Sequence, residues 1–208
     1  MPTVNEHFLI ETREDCNVLH LVSTDSMNRL STRMVRSLSF ALENLEGETR
    51  NNRHMPLVIM GNSQYFSVGA DLNEIAGLKA ADALDFARTG QQLMNLIDHF
   101  PASVYAAIAG YCMGGGFDLA LACDFRICSP NAIFGHRGAA LGLITGWGGT
   151  QRLANLIGRA RALQTFASAQ KLGAAEAMEI GLITEIAPDP FIRCLGLIAA
   201  RASEFADE

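Results

Sequence analysis

The sequence has no uninterrupted apolar run long enough to span a bilayer, so no membrane partner is expected. Met1 to Ile10 holds no basic stretch followed by an apolar one, and no secretory signal is read there. The last residues are polar and acidic and carry no lipidation motif. Lysine is scarce: only Lys79 and Lys171 stand beside 14 arginines, and the formal net charge is −6. An acidic chain without a basic run is a poor binder of nucleic acid. It also offers no general attraction for an anionic ligand, so any phosphate site must be local, built from a few Arg side chains or backbone N–H groups. Cys16, Cys112, Cys123, Cys128 and Cys194 are odd in number and include no CxxC pair. The five histidines show no HxxxH spacing. Neither a disulfide framework nor a metal site is expected, and a reducing cytoplasm fits.

What is present is a 208-residue chain that is 49% hydrophobic, enough for one domain with a large core. Val18 to Val22 reads as a strand. Leu30, Met34, Val35, Leu38, Leu42 and Leu45 fall at helical spacing, which predicts a helix over 29–46 followed by a polar loop from Gly47 to His54. Leu57 to Met60 is fully apolar and predicts a buried strand parallel to the first. Asp71-x-x-Glu74 has the form of a capping box opening a short helix. A helix over 82–98 ends before Pro101, and Val104 to Ile108 is a third strand. Further helices are predicted near 148–157, 160–168, 174–180 and 191–205, with Gly181 closing the third of these. The class is α/β.

The sharpest local feature is Gly110-Tyr111-Cys112-Met113-Gly114-Gly115-Gly116-Phe117-Asp118, entered by a strand and left by a helix. Two readings stay open on this pattern. The glycines allow close helix–strand packing, or they bring the free N–H groups of a helix N-terminus against a developing oxyanion. Asp118 lies one helical turn beyond Gly115. It serves as an acid or base there, or it only complements the helix dipole.

Three blocks together resemble the crotonase superfamily, the enoyl-CoA hydratase/isomerase group. Phe66-Ser67-Val68-Gly69-Ala70-Asp71-Leu72 resembles F-x-x-G-A-D-[LI]. Ala107 through Asp124 resembles A-x-x-G-x-x-x-G-G-G-x-[ED]-L-A-x-x-C-D. Phe134 through Leu153 resembles F-G-x-P-E-x-x-L-G-x-x-P-G-x-G-G-T-Q-R-L. A weaker match, Ser26 to Leu30, sits where the family has A-L-N-A-L. The resemblance implies a spiral of ββα units. It implies an acyl-CoA substrate whose thioester oxygen is held by the N–H groups of Ala70 and Gly115. It further implies a coenzyme A path along Ser26, Met27, Val68 and Ala70, with coenzyme A entering as part of the substrate rather than as a cofactor. A homotrimer or dimer of trimers is the implied assembly where the C-terminal helices are present. Residues 1–190 then form the crotonase-like core domain, and 191–208 begin a shortened C-terminal helical region.

The match breaks at the second carboxylate. Hydratases of this family place two glutamates around one water. Here the first position is Asp118 and the second is Gly138, within His136-Arg137-Gly138. One expectation is a hydratase or isomerase working with Asp118 and His136, whose imidazole titrates near neutrality. Others are a decarboxylase or thioesterase on the same scaffold, with Arg137 pairing a substrate carboxylate, or a non-catalytic acyl-CoA binder. Thr145 and Trp147 lie in the loop that borders the acyl pocket in the family; Trp147 is expected to wall off the pocket or to serve as a packing anchor, with no catalytic role.

Overall fold

A computed structural model describes residues 3–52 and 55–206. In chain order, strands β1 (Thr3–Val4), β2 (Phe8–Thr12), β3 (Asn17–Leu21) and β4 (Arg29–Leu30) lead to helix α1 (Thr32–Asn52). Then come β5 (Leu57–Met60), β6 (Tyr65–Ser67), β7 (Gly69–Ala70), α2 (Leu72–Gly77) and α3 (Ala80–Asp98). The next segment holds β8 (Val104–Ile108), β9 (Tyr111–Met113) and α4 (Gly115–Ala122). It is followed by β10 (Phe125–Cys128), β11 (Ile133–Gly135), a 3₁₀ turn (Arg137–Leu141), α5 (Gly149–Ile157) and α6 (Arg159–Ser168). The chain continues through β12 (Lys171–Gly173), α7 (Ala174–Glu179), β13 (Glu185–Ile186) and α8 (Pro190–Ala206).

The architecture repeats. β5, β8 and β10 are parallel neighbours in one seven-stranded sheet, while β6, β9 and β11 are parallel neighbours in a four-stranded sheet. Each turn of the chain gives one strand to the large sheet, the next to the small sheet, and then a helix. This is the expected spiral of ββα units. The large sheet is buried on both faces, which is why β5 and β8 read as continuous apolar runs rather than alternating ones. One face packs against α1, α3 and α4 through Leu38, Leu42, Leu93, Met94 and Leu119. The other packs against α8, where Cys194 and Ile198 are buried with Val18, Val58, Tyr105 and Ile127.

Several expectations shift. The helix predicted from residue 29 begins at Thr32, because Arg29 and Leu30 pair with Gly69 and Ala70 in a two-stranded ladder. It also runs on to Asn52, through most of the predicted loop; residues 53 and 54 of that loop lie outside the described residues. The capping box is half present. The Asp71 carboxylate accepts the Asn73 N–H at 2.8 Å, but Glu74 does not reach back. Its carboxylate instead accepts the Thr32 N–H and hydroxyl, each at 2.8 Å, and so caps the start of α1. Gly181 follows α7 with a left-handed φ of 77°, as a closing glycine should. Among the described residues no helix is long and apolar enough to cross a membrane, and no group of His, Cys, Asp and Glu is placed to hold a metal ion.

Candidate active site

The site forms where the second strand of each ββα unit turns into its helix. Gly69 ends one such turn with a φ of 89°, and Gly114 ends the next with a φ of 53°. Both values lie in the left-handed region that side chains disfavour. The turns are pressed together: a Cβ on Gly69 would fall 2.5 Å from the Gly115 nitrogen, and one on Gly115 would fall 3.3 Å from the Ala70 nitrogen. No side chain separates the two backbone N–H groups. Gly115 is the first residue of α4, so its N–H is one of the four that the helix cannot use internally. It also sits at the positive end of the helix dipole.

Asp118 lies one turn further along α4 and is 1% exposed. Burial pushes its carboxyl up to about 7; a hydrogen bond from Thr145 and the charge of Arg152 act the other way. The Thr145 hydroxyl donates to Asp118 Oδ2 in a short hydrogen bond. Oδ1 faces Gly149, whose missing side chain makes room for it, and has no hydrogen-bond partner among the described residues. His136 places Nε2 3.9 Å from Asp118 Oδ2, beyond direct hydrogen-bonding distance. Its ring packs edge-on against Phe166, and burial pulls its pKa down, so it is neutral at pH 7.

These groups line one cavity of about 480 Å³, a size suited to a small-molecule ligand. Val68, Ala70, Gly115, Asp118 and His136 all contribute to it. Much of the rest is apolar, including Leu72, Ile75, Phe86, Leu143, Ile144 and Trp147. Arg137 and Lys171 bring positive charge, with the lysine ammonium 5.4 Å from the centre of the Tyr111 ring. Ser26 and Met27 do not line the cavity. They lie one loop away, where the Met27 carbonyl accepts the Val68 N–H at 3.1 Å. Buried Asn28 fixes that loop by donating to the carbonyls of Tyr65 and Phe66. The five cysteines are buried and free. Burial drives those of β9, α4's end and β10 upward, so they remain thiols rather than nucleophiles.

The empty position at 138 has a local cause. A Cβ on Gly138 would fall 2.7 Å from the Leu143 carbonyl oxygen, which closes that side of the turn. A carboxylate there requires a different loop. Thr145 is the residue that sequence reasoning passed over. Its partner is 27 positions away, and the one available signal was a hydroxyl standing where the motif has proline.

The enoyl-CoA hydratase/isomerase family model matches residues 11–194. The chain belongs to the enoyl-CoA hydratase/isomerase family. A Bacillus subtilis (strain 168) relative named "Probable enoyl-CoA hydratase" is 37% identical over 182 residues, covering 87% of this chain and 69% of the relative. The crotonyl-CoA hydratase of Syntrophomonas wolfei is 33% identical, covering 94% of this chain and 75% of that protein. Among solved structures, Pseudomonas aeruginosa DspI superposes with a TM-score of 0.89 at 30% identity, covering 95% of this chain and 75% of that one. The enoyl-CoA hydratase of Bacillus anthracis gives 0.81 at 30% identity, with 97% and 75% covered. These relatives settle the crotonase fold and the enzyme family. Among the described residues, Asp118 is the single carboxyl that lines the cavity.

Proposed function

We propose that this enoyl-CoA hydratase/isomerase-family enzyme hydrates a 2-enoyl-CoA thioester through an enolate. The observation that carries the reading is the pair of apposed N–H groups, Ala70 and Gly115, one helical turn from a buried carboxyl held up to about 7. The thioester oxygen sits on the two N–H groups, which stabilise the negative charge it gains as the reaction proceeds. Ionised Asp118 takes one proton from water as the water oxygen bonds to the β-carbon. The electron pair of the double bond moves onto the thioester oxygen. The carboxyl then returns its proton to the α-carbon, so the elements of water have been added and Asp118 is regenerated. One carboxyl performs both transfers because no second one is available at Gly138. A carboxyl poised near the working pH is suited to do both. Neutral His136 faces the same space and orients the water.

The single carboxyl also supports a second reading, a 1,3 proton shift in a 3-enoyl thioester, since that reaction needs one base and the same enolate. Product identity separates the two. With crotonyl-CoA and 3-hexenoyl-CoA as substrates, hydration yields the 3-hydroxyacyl thioester from the first, and isomerisation yields the 2-enoyl thioester from the second. Asp118→Asn is expected to lower either rate by at least about 10²-fold. Full activity in that variant would remove Asp118 from the mechanism. The buried free thiols support a reducing, cytoplasmic setting, and the trimeric or hexameric assembly implied by the family is a matter for light scattering.

A further inference from the structure

Three positions of the third block depart from the family motif, Arg137, Gly138 and Thr145; all fall in one loop, and Thr145 is the one that bonds to Asp118. A hydroxyl has a single proton to give. The Trp147 backbone N–H points at Thr145 Oγ1 from 3.3 Å and occupies one of its lone pairs. The hydroxyl proton is thereby directed to Asp118 Oδ2, the short contact described above. Asp118 Oδ1 receives no hydrogen bond among the described residues, so Thr145 is the carboxyl's one hydrogen-bond donor there.

Other groups face the carboxyl without bonding to it. His136 approaches from the turn after β11 at 3.9 Å, Arg152 of α5 acts only through its charge, and Cys112 of β9 is a buried thiol. Arg152 is itself engaged elsewhere, donating to the Trp147 carbonyl at 3.3 Å and to Asn95 at 2.9 Å. Gly149 leaves room for the carboxyl but gives it no hold.

We propose that Thr145 is the positioning residue for Asp118, its hydroxyl supplying the hydrogen bond that aims Oδ2 into the cavity and keeps the carboxylate available as the base. This rests on the reading of Asp118 given under Proposed function. A loop that has lost its own carboxylate at 138 thus acts on the remaining one through a hydroxyl seven residues on. Thr145 itself touches no reacting atom. Without it, the buried carboxyl loses the interaction favouring its charged form and is free to rotate.

The test uses the full chain with Thr145→Val, which keeps the shape and removes the hydroxyl, and Thr145→Ser, which restores the hydroxyl. Rates with crotonyl-CoA are taken from about pH 5.5 to 9.5, where the low-pH limb reports the ionisation of the base. The valine variant is expected to move that limb up by about 1–2 pH units, because a hydrogen bond to a charged group is of that size. At pH 7 this lowers kcat by about 5- to 50-fold, with KM within about twofold, and serine restores the limb. An unmoved limb in the valine variant, or a serine variant as impaired as valine, overturns the proposal. Should valine not fold, Thr145→Ala against Thr145→Ser gives the same comparison. Failure of the underlying reading is separable. If the wild-type protein turns over no enoyl thioester, the Asp118 carboxyl is titrated directly by carbon NMR. A midpoint higher in the valine variant than in the wild type upholds the Thr145 contact, and an unchanged midpoint rejects it.

Discussion

Gly90 offers a sharp quantitative test of the packing that frames the site. It lies in the middle of α3, on the buried face with Leu93, Met94 and Ile97. In an ordinary helix Gly→Ala is stabilising by about 1 kcal/mol. Here a Cβ would land 2.1–2.3 Å from Nε1, Cδ1 and Cε2 of Trp147, whose opposite edge would meet a Cβ on Gly115 at 2.4 Å. The indole fills the gap between α3 and the start of α4, with Phe86 5.4 Å away, and has no slack on either edge. Forcing one methyl into such packing costs about 1–3 kcal/mol. Gly90→Ala is therefore expected to destabilise by up to about 2 kcal/mol net, the steric term offset in part by propensity. In a Trp147→Leu background the clash disappears, and the same substitution is expected to stabilise by up to about 1 kcal/mol. Urea denaturation of the four proteins closes the double-mutant cycle. A coupling below about 0.5 kcal/mol would mean that Gly90 and Trp147 act independently, and would refute the contact.

Three further outcomes follow from the same geometry. Gly69→Ala pushes a methyl against the Gly115 nitrogen at a φ of 89°, so kcat should fall about 10²- to 10³-fold, as for loss of an oxyanion donor; wild-type kinetics would dissociate that turn from catalysis. Trp147→Ala opens the apolar cavity beside Gly115, and kcat/KM for 2-octenoyl-CoA relative to crotonyl-CoA should rise at least about 10-fold, a ladder of acyl lengths being the check. The folded protein holds the Asp118 proton up to about 7, whereas an unfolded carboxyl releases it near 3.9. The folded state therefore binds the extra proton, and this group's contribution turns destabilising as pH rises from about 4 to 7. Asp118→Asn should match wild type in unfolding free energy at pH 4 and exceed it at pH 8, by about 4 kcal/mol at most, as read by urea denaturation, and an equal difference at both pH values would contradict the buried ionisation.

The sequence was most informative where long elements are buried on both sides. Leu57–Met60 and Val104–Ile108 were read at their observed bounds, because continuous apolar runs have few alternatives. The helices after residue 148 fell within about two residues, which is the usual fraying of helix ends. Periodicity had nothing to say about β4, β6, β7 and β9, of two or three residues each, set among glycines and polar side chains. Yet those short strands aim Ala70 and Gly115 at one another. Motif order supplied what periodicity did not, and it placed both residues together with Asp118. Contacts across the chain stayed out of reach. Glu74 looked like a local cap and serves Thr32, 42 positions away. Thr145 looked like a loop residue and holds Asp118.

The central claim is that an enolate forms on the Ala70 and Gly115 N–H groups and that Asp118 carries the proton to its α-carbon. Hydration of crotonyl-CoA in heavy water, with the product read by mass spectrometry and proton NMR, tests it directly. The account predicts one deuterium at the α-carbon of the 3-hydroxy thioester and loss of that product in Asp118→Asn. A hydrated product formed at the wild-type rate in Asp118→Asn, or no α-deuterated product from the wild-type enzyme, would contradict it.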